Sequence, residues 1–255
     1  MERMIDIAGH PTWMEEQGEG DPVLVLHGGI SSSEDLGPLI DALVPHFRVV
    51  AFDRRGHGRT ADTEEPFSYA AMADEASAVL DAVVGGPAHL VGYSDGGITA
   101  LHVALARPEL VRSMVLIGTN FRADALLPAM FDLTPDNPMM AMIAQSYAAR
   151  SPDGPEHFPV FFEKSAAMWR TQPNLSAEDL AAIPARTLVL AGDDEPMPLS
   201  HTVALYEGLP DARLAVIPGA SHIVVYEQPD LVHRLILEFL TSEGSPQTLW
   251  PVRRA

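Results

Sequence analysis

The amino-acid sequence predicts an α/β fold, in which a mostly parallel sheet is flanked by helices on both faces and carries an inserted helical lid. Three observations support this prediction. Short, continuous apolar runs end at glycines or polar residues, stretches with helical periodicity lie between them, and the alternation stops only between residues 121 and 183. Continuous apolar runs are typical of strands that are buried on both faces, as in parallel sheets. Their alternation with helices indicates crossover connections.

The chain begins with a predicted antiparallel hairpin, in which ERMIDI and TWMEE flank AGHP. Six further strands are predicted from apolar runs: PVLVLH (22–27), RVVAFD (48–53), AHLVGYS (88–94), SMVLIGT (113–119), RTLVLAGD (186–193) and ARLAVIPG (212–219). Helices are predicted around 36–46 and at 68–84, 97–108, 201–209 and 229–240. In such sheets, functional residues gather at the carboxyl ends of the strands, which is where the unusual residues of this chain occur.

The interruption of the pattern defines the predicted domain organisation. Residues 1–120 and 184–255 are expected to form the core domain, and residues 121–183 the helical lid. The lid segment contains five of the nine Phe, five of the eleven Met, and Trp169, so its helices should have apolar faces. These side chains either line a substrate pocket or pack onto the core, and the sequence leaves both alternatives open.

Composition limits the classes of function. The 255-residue chain has a net charge of −19, which disfavours nucleic acid and anionic membranes as partners. It contains no cysteine, which excludes disulfides, cysteine-bound zinc and thiol catalysis. The N-terminus lacks the apolar core of a signal peptide, and no apolar run approaches the ~20 residues of a membrane span. We therefore expect a soluble, cytoplasmic protein with a small-molecule substrate; the oligomeric state is not predicted.

The segment VGYSDGGITAL (91–101) contains the clearest motif. Gly92 and Gly96 surround Ser94 in a Gly-x-Ser-x-Gly pattern that follows a predicted strand and precedes a predicted helix. A sharp turn at this position holds a serine hydroxyl above the sheet edge, and small flanking residues let the strand and helix pass closely. We therefore predict that Ser94 is a catalytic nucleophile rather than a residue of a structural turn.

A serine hydroxyl needs a base, and the base needs an acid that orients it. His222 follows the last predicted strand in IPGASH and is the predicted base. The segment LAGDDEPMP offers Asp193, Asp194 and Glu195 directly after the preceding strand. The resulting order along the chain is nucleophile, acid, base.

An oxyanion hole is predicted from two backbone N–H groups. Gly29 lies in LHGGI, after an early strand, and Asp95 directly follows the nucleophile. Such donors stabilise the negative oxygen of a tetrahedral intermediate. His27 is interpreted as an anchor of the glycine loop, and the chemistry requires no metal or organic cofactor.

Taken together, these motifs resemble the α/β-hydrolase superfamily along nearly the whole chain. The resemblance rests on HGG, DRRGHGRT (53–60), GYSDGG, GDDEP and PGASH, which occur in the expected order. It implies the α/β-hydrolase fold. In the superfamily the acid is usually Asp, three residues after a glycine and often followed by Pro. Here that position is Glu195, followed by Pro196, so the resemblance favours Glu195 over Asp194.

EDLGPLIDAL and GYSDGGITAL are more narrowly similar to the valacyclovir-hydrolase branch, also called biphenyl hydrolase-like. Members of that branch cleave α-amino-acid esters, and the aspartate after the nucleophile binds the α-ammonium group of the substrate. This similarity implies that the Asp95 side chain contributes to substrate binding. The alternative is that Asp95 acts only through its N–H group.

The predicted function is therefore hydrolysis of carboxylic esters by a Ser-His-acid triad, through an acyl-serine intermediate. Carbon–carbon bond hydrolysis, lactone opening and cofactor-free perhydrolysis use the same residues and remain alternatives. An alternative from another class is a non-catalytic ligand receptor that retains the fold, since a fold alone does not prove activity.

Overall fold

The computed structural model describes residues 1–128 and 137–242. In these ranges it contains one eight-stranded sheet. The strands are β1 (Glu2–Ile7), β2 (His10–Gln17), β3 (Pro22–Leu26), β4 (Arg48–Phe52), β5 (Ala88–Tyr93), β6 (Val111–Ile117), β7 (Arg186–Asp194) and β8 (Ala212–Ser221). Their spatial order is β1-β2-β4-β3-β5-β6-β7-β8. Only β2 pairs antiparallel, with β1 and with β4, so the predicted mostly parallel sheet with an opening hairpin is confirmed.

The central strands are buried on both faces, as their continuous apolar sequences require. In β3, Val23 and Val25 belong to one hydrophobic cluster, whereas Leu24 and Leu26 belong to another on the opposite face. This separation follows from the period of two along a strand, which points successive side chains to opposite sides. Each face therefore needs its own layer of helices.

The helices supply these two layers. They are α1 (Gly37–Leu43), α2 (Tyr69–Val79), α3 (Asp95–Ala106), α4 (Pro138–Arg150), α5 (Phe158–Thr171), α6 (Ala177–Ala181), α7 (Leu199–Gly208), α8 (Val224–Glu227) and α9 (Pro229–Thr241). Helices α1 and α9 cover the face of Val23, and α2, α3 and α7 cover the opposite face. Every helix of the described ranges is too short or too polar to cross a lipid bilayer.

Several helix boundaries differ from the prediction, and two of the differences have a local cause. Helix α2 ends at Val79 and continues as a π-helical turn, Leu80–Val84, which Gly85 terminates at φ 80°. Helix α3 begins at Asp95, two residues earlier than predicted, because the chain turns from strand to helix at Ser94 itself. The early start makes the N–H group of Asp95 the first of the helix.

The predicted lid segment, 121–183, contains α4, α5 and α6; its residues 129–136 lie outside the described residues. Its aromatic residues pack onto the core in a third hydrophobic cluster, in which Tyr147, Phe161 and Trp169 meet Phe67 and Tyr69. These side chains are therefore buried at the junction between segment and core. That the segment acts as a lid remains a proposal.

Ion pairs join the same segment to the core. Arg150 at the end of α4 forms two hydrogen bonds of 2.9 Å to the carboxylate of Glu34. Lys164 of α5 donates to Asp62 at 2.6 Å, and His157 Nε2 lies 2.9 Å from the other Asp62 oxygen. Because the Asp62 side chain is only 3% exposed, the contacts of Asp62 with Lys164 and His157 are less screened by salt than ordinary surface pairs.

The buried ring of His57 makes stability depend on pH. It lies between Phe67 and Phe161, with ring centroids 5.3 and 4.9 Å away. Burial, assisted by the Arg54 charge, lowers the pKa of His57 from its usual 6.5 to about 3. Unfolding therefore takes up a proton between these values. The stability that the neutral ring contributes is complete above pH 6.5 and is lost as the pH falls toward 3.

We expect His57→Gln to flatten the pH dependence of the free energy of unfolding by about 1 kcal/mol per pH unit below pH 6.5. Urea titrations at several pH values measure this slope, independently of any overall loss of stability. The exposed His46 provides the control, and His46→Gln should leave the slope unchanged. Equal slopes for wild type and His57→Gln would contradict the assignment.

Candidate active site

The turn between β5 and α3 holds Ser94 in a strained backbone conformation. Its φ of 52° and ψ of −117° are rare for a residue with a side chain and cost on the order of 1–3 kcal/mol. The N–H group of Ser94 donates to Ile117 O at 2.7 Å, and its carbonyl accepts from Gly97 at 2.8 Å and Ile98 at 3.1 Å. The surrounding strand and helix thus hold the serine in this conformation.

Both glycines of the motif are required by close backbone contacts. A Cβ atom on Gly92 would lie 2.4 Å from Gly96 O, and one on Gly96 would lie 2.0 Å from Leu26 O. Carbon atoms do not approach oxygen so closely, and backbone cannot move aside as a flexible side chain can. The glycines therefore permit the close passage of β3, β5 and α3 that raises Ser94 above the sheet.

Ser94, His222 and Glu195 form a continuous hydrogen-bonded chain. His222 Nε2 lies 3.0 Å from Ser94 Oγ, and His222 Nδ1 lies 2.6 Å from Glu195 Oε2. The carboxylate only accepts, so Nδ1 carries the proton toward it and Nε2 is left to accept the serine proton. Because the three residues follow β5, β7 and β8, the parallel sheet brings together positions that are 128 and 27 residues apart.

The structure places Asp193, Asp194 and Glu195, at the end of β7, in different environments. Glu195 is buried, its side chain only 3% exposed, and its Oε1 accepts the N–H of Gly192 at 3.0 Å. Asp193 Oδ1 accepts the N–H groups of Gly219 and Ala220, so it joins the end of β7 to the end of β8. Asp194 is exposed. Glu195 is thus the acid that contacts His222.

The two predicted oxyanion donors, Gly29 and Asp95, belong to segments that pack against each other. The N–H of Asp95 is the first of α3 and has no acceptor within the helix. Gly29 packs against the Asp95 side chain so closely that a Cβ on it would lie 2.5 Å from Asp95 Oδ2 and 2.7 Å from Trp169. A side chain at position 29 would therefore collide with these two buried groups, which explains the glycine at this position.

The Asp95 side chain is buried, with 4% exposure. Its Oδ1 accepts a hydrogen bond from Tyr69 Oη at 2.8 Å, and the indole N–H of Trp169 lies 2.9 Å from Oδ2 and 3.1 Å from Oδ1. Burial, together with the negative charge of Asp95, raises the pKa of Tyr69 well above its usual range, so the phenol stays protonated and donates. The carboxylate therefore connects α2, α3 and α5.

Sequence reasoning did not identify the partners of Asp95. Trp169 stood out only as one aromatic residue of the lid segment, and Tyr69 did not stand out at all. They lie 74 and 26 residues from Asp95 along the chain, so no local spacing signals these contacts. A buried acid in a glycine-rich turn does call for donors, but it does not say which element supplies them.

His27 is buried within the fold, as expected for an anchor of the glycine loop. Its Nε2 accepts the N–H of Arg54 at 3.1 Å, and its Nδ1 lies 2.8 Å from Gly28 O. Burial lowers the pKa of His27 well below its usual value, so the ring is neutral with its proton on Nδ1. Tyr93, which the sequence does not single out, lies beside His222, and their ring centroids are 5.5 Å apart.

The chain is similar to proteins of a known family. Residues 23–235 match the model of the alpha/beta hydrolase family. RutD of Azorhizobium caulinodans, a proposed carbamate hydrolase, is 30% identical over 248 residues, which cover 89% of this chain and 94% of that protein. The 2-hydroxymuconate semialdehyde hydrolase of Pseudomonas putida is 32% identical, with 93% of each chain covered.

A solved structure shows the same architecture. The meta-cleavage product hydrolase of Pseudomonas fluorescens superposes with a TM-score of 0.76 and 29% identity, and the alignment covers 93% of this chain and 97% of that one. The family match spans the strands that carry Ser94, Glu195 and His222. The chain therefore belongs to the alpha/beta hydrolase family.

Proposed function

We propose that the protein is a serine hydrolase that cleaves carboxylic esters through an acyl-serine intermediate. The observation that carries this proposal is the hydrogen-bonded chain from Ser94 Oγ through His222 to Glu195, with distances of 3.0 and 2.6 Å. A base within hydrogen-bond distance of the hydroxyl, itself oriented by a buried acid, is what an activated serine requires.

The reaction follows from this arrangement. Ser94 Oγ attacks the ester carbonyl carbon while His222 Nε2 takes the hydroxyl proton, and the carbonyl electron pair moves to oxygen. The N–H groups of Gly29 and Asp95 stabilise that oxyanion, and Glu195 stabilises the imidazolium. Collapse of the intermediate expels the alkoxide, which receives the proton from His222. Water then repeats the steps and releases the acid.

The narrower proposal is that the substrates are α-amino-acid esters. It is supported by the similarity of GYSDGGITAL to the valacyclovir-hydrolase branch and by the buried carboxylate of Asp95 beside Gly29. Tyr69 and Trp169 orient this carboxylate without neutralising it, because both donors are uncharged. An α-ammonium group would pair with the negative charge in a partly dry site, where such contacts are strong.

A second candidate is hydrolysis of a carbon–carbon bond in a vinylogous diketone. It is supported by the similarity to 2-hydroxymuconate semialdehyde hydrolase and to the meta-cleavage product hydrolase. Carbamates are a further substrate class to test, because RutD is a proposed carbamate hydrolase. All three reactions require attack on a carbonyl carbon and an oxyanion hole, so the residues proposed above serve each of them.

A substrate panel distinguishes these candidates. The value of kcat/KM is measured for p-nitrophenyl esters, α-aminoacyl esters, lactones, carbamates and a vinylogous diketone. The ester proposal predicts the highest values for the two ester classes. A preference of tenfold or more for the diketone or the carbamate would replace it. Turnover of none of these, with no covalent labelling of Ser94, would favour a non-catalytic receptor.

We expect Asp95→Asn to abolish any preference for an α-aminoacyl ester over its des-amino analogue. Removing one member of a partly buried charge pair costs ~30-fold to several thousand-fold in affinity. The ratio of the two kcat/KM values should therefore fall by about that factor, whereas hydrolysis of the neutral ester should not decrease, because the N–H of residue 95 remains.

Tyr69→Phe is the matched control for this substitution. It removes one hydrogen bond to the Asp95 carboxylate and keeps the charge, so the substrate ratio should be largely retained. A wild-type protein without preference for the amino compound, or an unchanged ratio in Asp95→Asn, would exclude amino-acid ester specificity. Ester hydrolysis itself would not be affected by that result.

A further inference from the structure

Arg54 is a fully buried arginine behind the glycine loop, with 0% of its surface exposed. Its guanidinium NH1 donates to His27 O at 2.6 Å, and NH2 donates to Gly28 O at 2.7 Å. The third nitrogen, Nε, has no hydrogen-bond partner among the described residues. The cation is thus directed at two backbone carbonyls of the loop that leads to Gly29. Burying a charge is costly, so this arrangement calls for a reason.

The Gly28 carbonyl is held by three donors. Besides Arg54 NH2, His27 Nδ1 lies 2.8 Å from this oxygen and Ser31 Oγ donates to it at 3.0 Å. In a trans peptide the C=O of one residue and the N–H of the next point in opposite directions. Fixing Gly28 O toward Arg54 therefore fixes the Gly29 N–H toward the opposite side, away from the guanidinium.

The loop needs such support, because its backbone is strained. Ile30, directly after Gly29, has a φ of 45°, a region that β-branched residues rarely adopt. Strained conformations persist only where surrounding contacts determine them. Without a strong partner for the carbonyls, the loop would relax, and the direction of the Gly29 N–H would change with it.

The charge of Arg54 also offsets an unfavourable neighbour. The Asp95 carboxylate lies directly against Gly29, so its negative charge is close to the residue whose N–H is proposed as an oxyanion donor. Burial lowers the pKa of Arg54, and Asp95 is the charge that most opposes this shift, ahead of Glu75. The two buried charges therefore interact, and the cation weakens the field of the anion at the oxyanion donors.

We propose that Arg54 is a positioning residue for the oxyanion hole, one that holds the Gly28 carbonyl so that the Gly29 N–H faces the substrate oxygen and whose charge offsets that of Asp95. This role rests on the proposed acyl transfer to Ser94. It differs from that of Gly29 and Asp95, because Arg54 acts through the loop and through its charge and does not contact the substrate.

The test uses kinetics together with a transition-state mimic. An alkyl trifluoromethyl ketone forms a hemiketal when Ser94 Oγ bonds to its carbonyl carbon: the π electron pair of the carbonyl moves to the carbonyl oxygen, and the serine proton passes to His222. Fluorine NMR across a pH series reports the pH at which this oxygen ionises, which depends on the donors and charges around it. A purely structural role of Arg54 would not move that value.

Arg54→Met should lower kcat by about 10²-fold, as the loss of one oxyanion donor does, with KM changed by less than about threefold. The hemiketal should ionise at a higher pH than in the wild type. Arg54→Lys retains the charge but not the paired donors. Its kcat and the pH at which its hemiketal ionises should therefore lie between those of the wild type and of Arg54→Met. Ser31→Ala removes one uncharged donor from Gly28 O, and a decrease of a few-fold in kcat is expected.

Arg55→Met is the matched control. Arg55 is the adjacent, half-buried arginine; its backbone N–H donates to Glu75, and no hydrogen bond joins it to the glycine loop in the described residues. Its kcat and the ionisation of its hemiketal should match the wild type. If Arg54→Met does not fold, Arg54→Lys and Ser31→Ala decide the question by the same two measurements.

The outcomes separate this role from the proposed function. If the wild type forms no hemiketal, the acyl-transfer proposal fails, and the role of Arg54 fails with it. If the hemiketal forms and its ionisation and kcat are the same in wild type and in the Arg54 variants, only the role of Arg54 is overturned. The role of Arg54 would also be overturned if Arg55→Met changed kcat and the ionisation of the hemiketal as much as Arg54→Met does.

Discussion

Replacing Ser94 with alanine is expected to lower kcat for the best substrate of the panel by about 10⁴–10⁶-fold. Without the hydroxyl no acyl-serine forms, and the remaining oxyanion donors can only assist direct attack by water. The steric change is small, and because alanine keeps the Cβ atom, the backbone at φ 52° is about as strained as with serine, so stability should change little. The substitution should therefore remove activity from a folded protein, as thermal unfolding and circular dichroism would verify.

Ser200→Ala is the control for this result. Ser200 is exposed on α7 and lies outside the Gly-x-Ser-x-Gly motif, so its substitution should leave kcat within about twofold. If Ser94→Ala retained a tenth or more of the wild-type kcat, the serine would not be the nucleophile. The reaction would then have to proceed by activation of water, with His222 as the base.

Glu195→Gln is expected to lower kcat by about 10²–10⁴-fold. Glutamine preserves the size of the side chain but not its charge, so the imidazolium that forms during attack is no longer stabilised. Its amide can also donate to His222 Nδ1, which would favour the wrong tautomer and leave no acceptor for the Ser94 proton. The loss should appear in kcat more than in KM.

Asp194→Asn is the matched control, because it also replaces a carboxylate by an amide. Asp194 is exposed and Glu195 is buried against His222, so Asp194→Asn should change kcat by less than about threefold. The opposite ranking of the two variants would transfer the role of the acid to Asp194. A comparable loss in both would indicate that the charge of the loop, and not a specific contact, supports the base.

The fold could be predicted from the sequence because each central strand is apolar along its whole length. Such runs cannot lie at a surface, so they define a sheet buried on both faces, and the lengths between them suit helical crossovers. The helix boundaries were less predictable. The π-helical turn after α2 and the early start of α3 depend on a glycine at φ 80° and on the turn at Ser94, which periodicity does not reveal.

The choice between Asp194 and Glu195 could not be derived from the residues alone. Near its end, β7 loses regular register with β8, between Gly192 and Asp194, so the alternation of side-chain directions no longer predicts which acid turns inward. The bond from the Gly192 N–H to Glu195 settles the direction in the structure. The family pattern favoured the same residue, although without a physical reason.

The side chains that contact Asp95 and the glycine loop could not be predicted from the sequence, for a different reason. Tyr69, Trp169 and Arg54 come from three separate segments, and their contacts depend on how α2, α5 and the β4 loop pack around the turn. Sequence motifs mark the reacting residues, whereas the side chains that orient them are chosen by tertiary packing.

Covalent labelling measures the central claim, nucleophilic attack by Ser94, most directly. The protein is incubated with a fluorophosphonate, and intact-mass spectrometry is followed by mapping of the modified peptide. We predict one adduct per chain, located on Ser94, together with loss of hydrolytic activity, and a slower rate of labelling in Glu195→Gln. An unlabelled wild-type protein, or a Ser94→Ala protein that is labelled as fast as the wild type, would contradict the account.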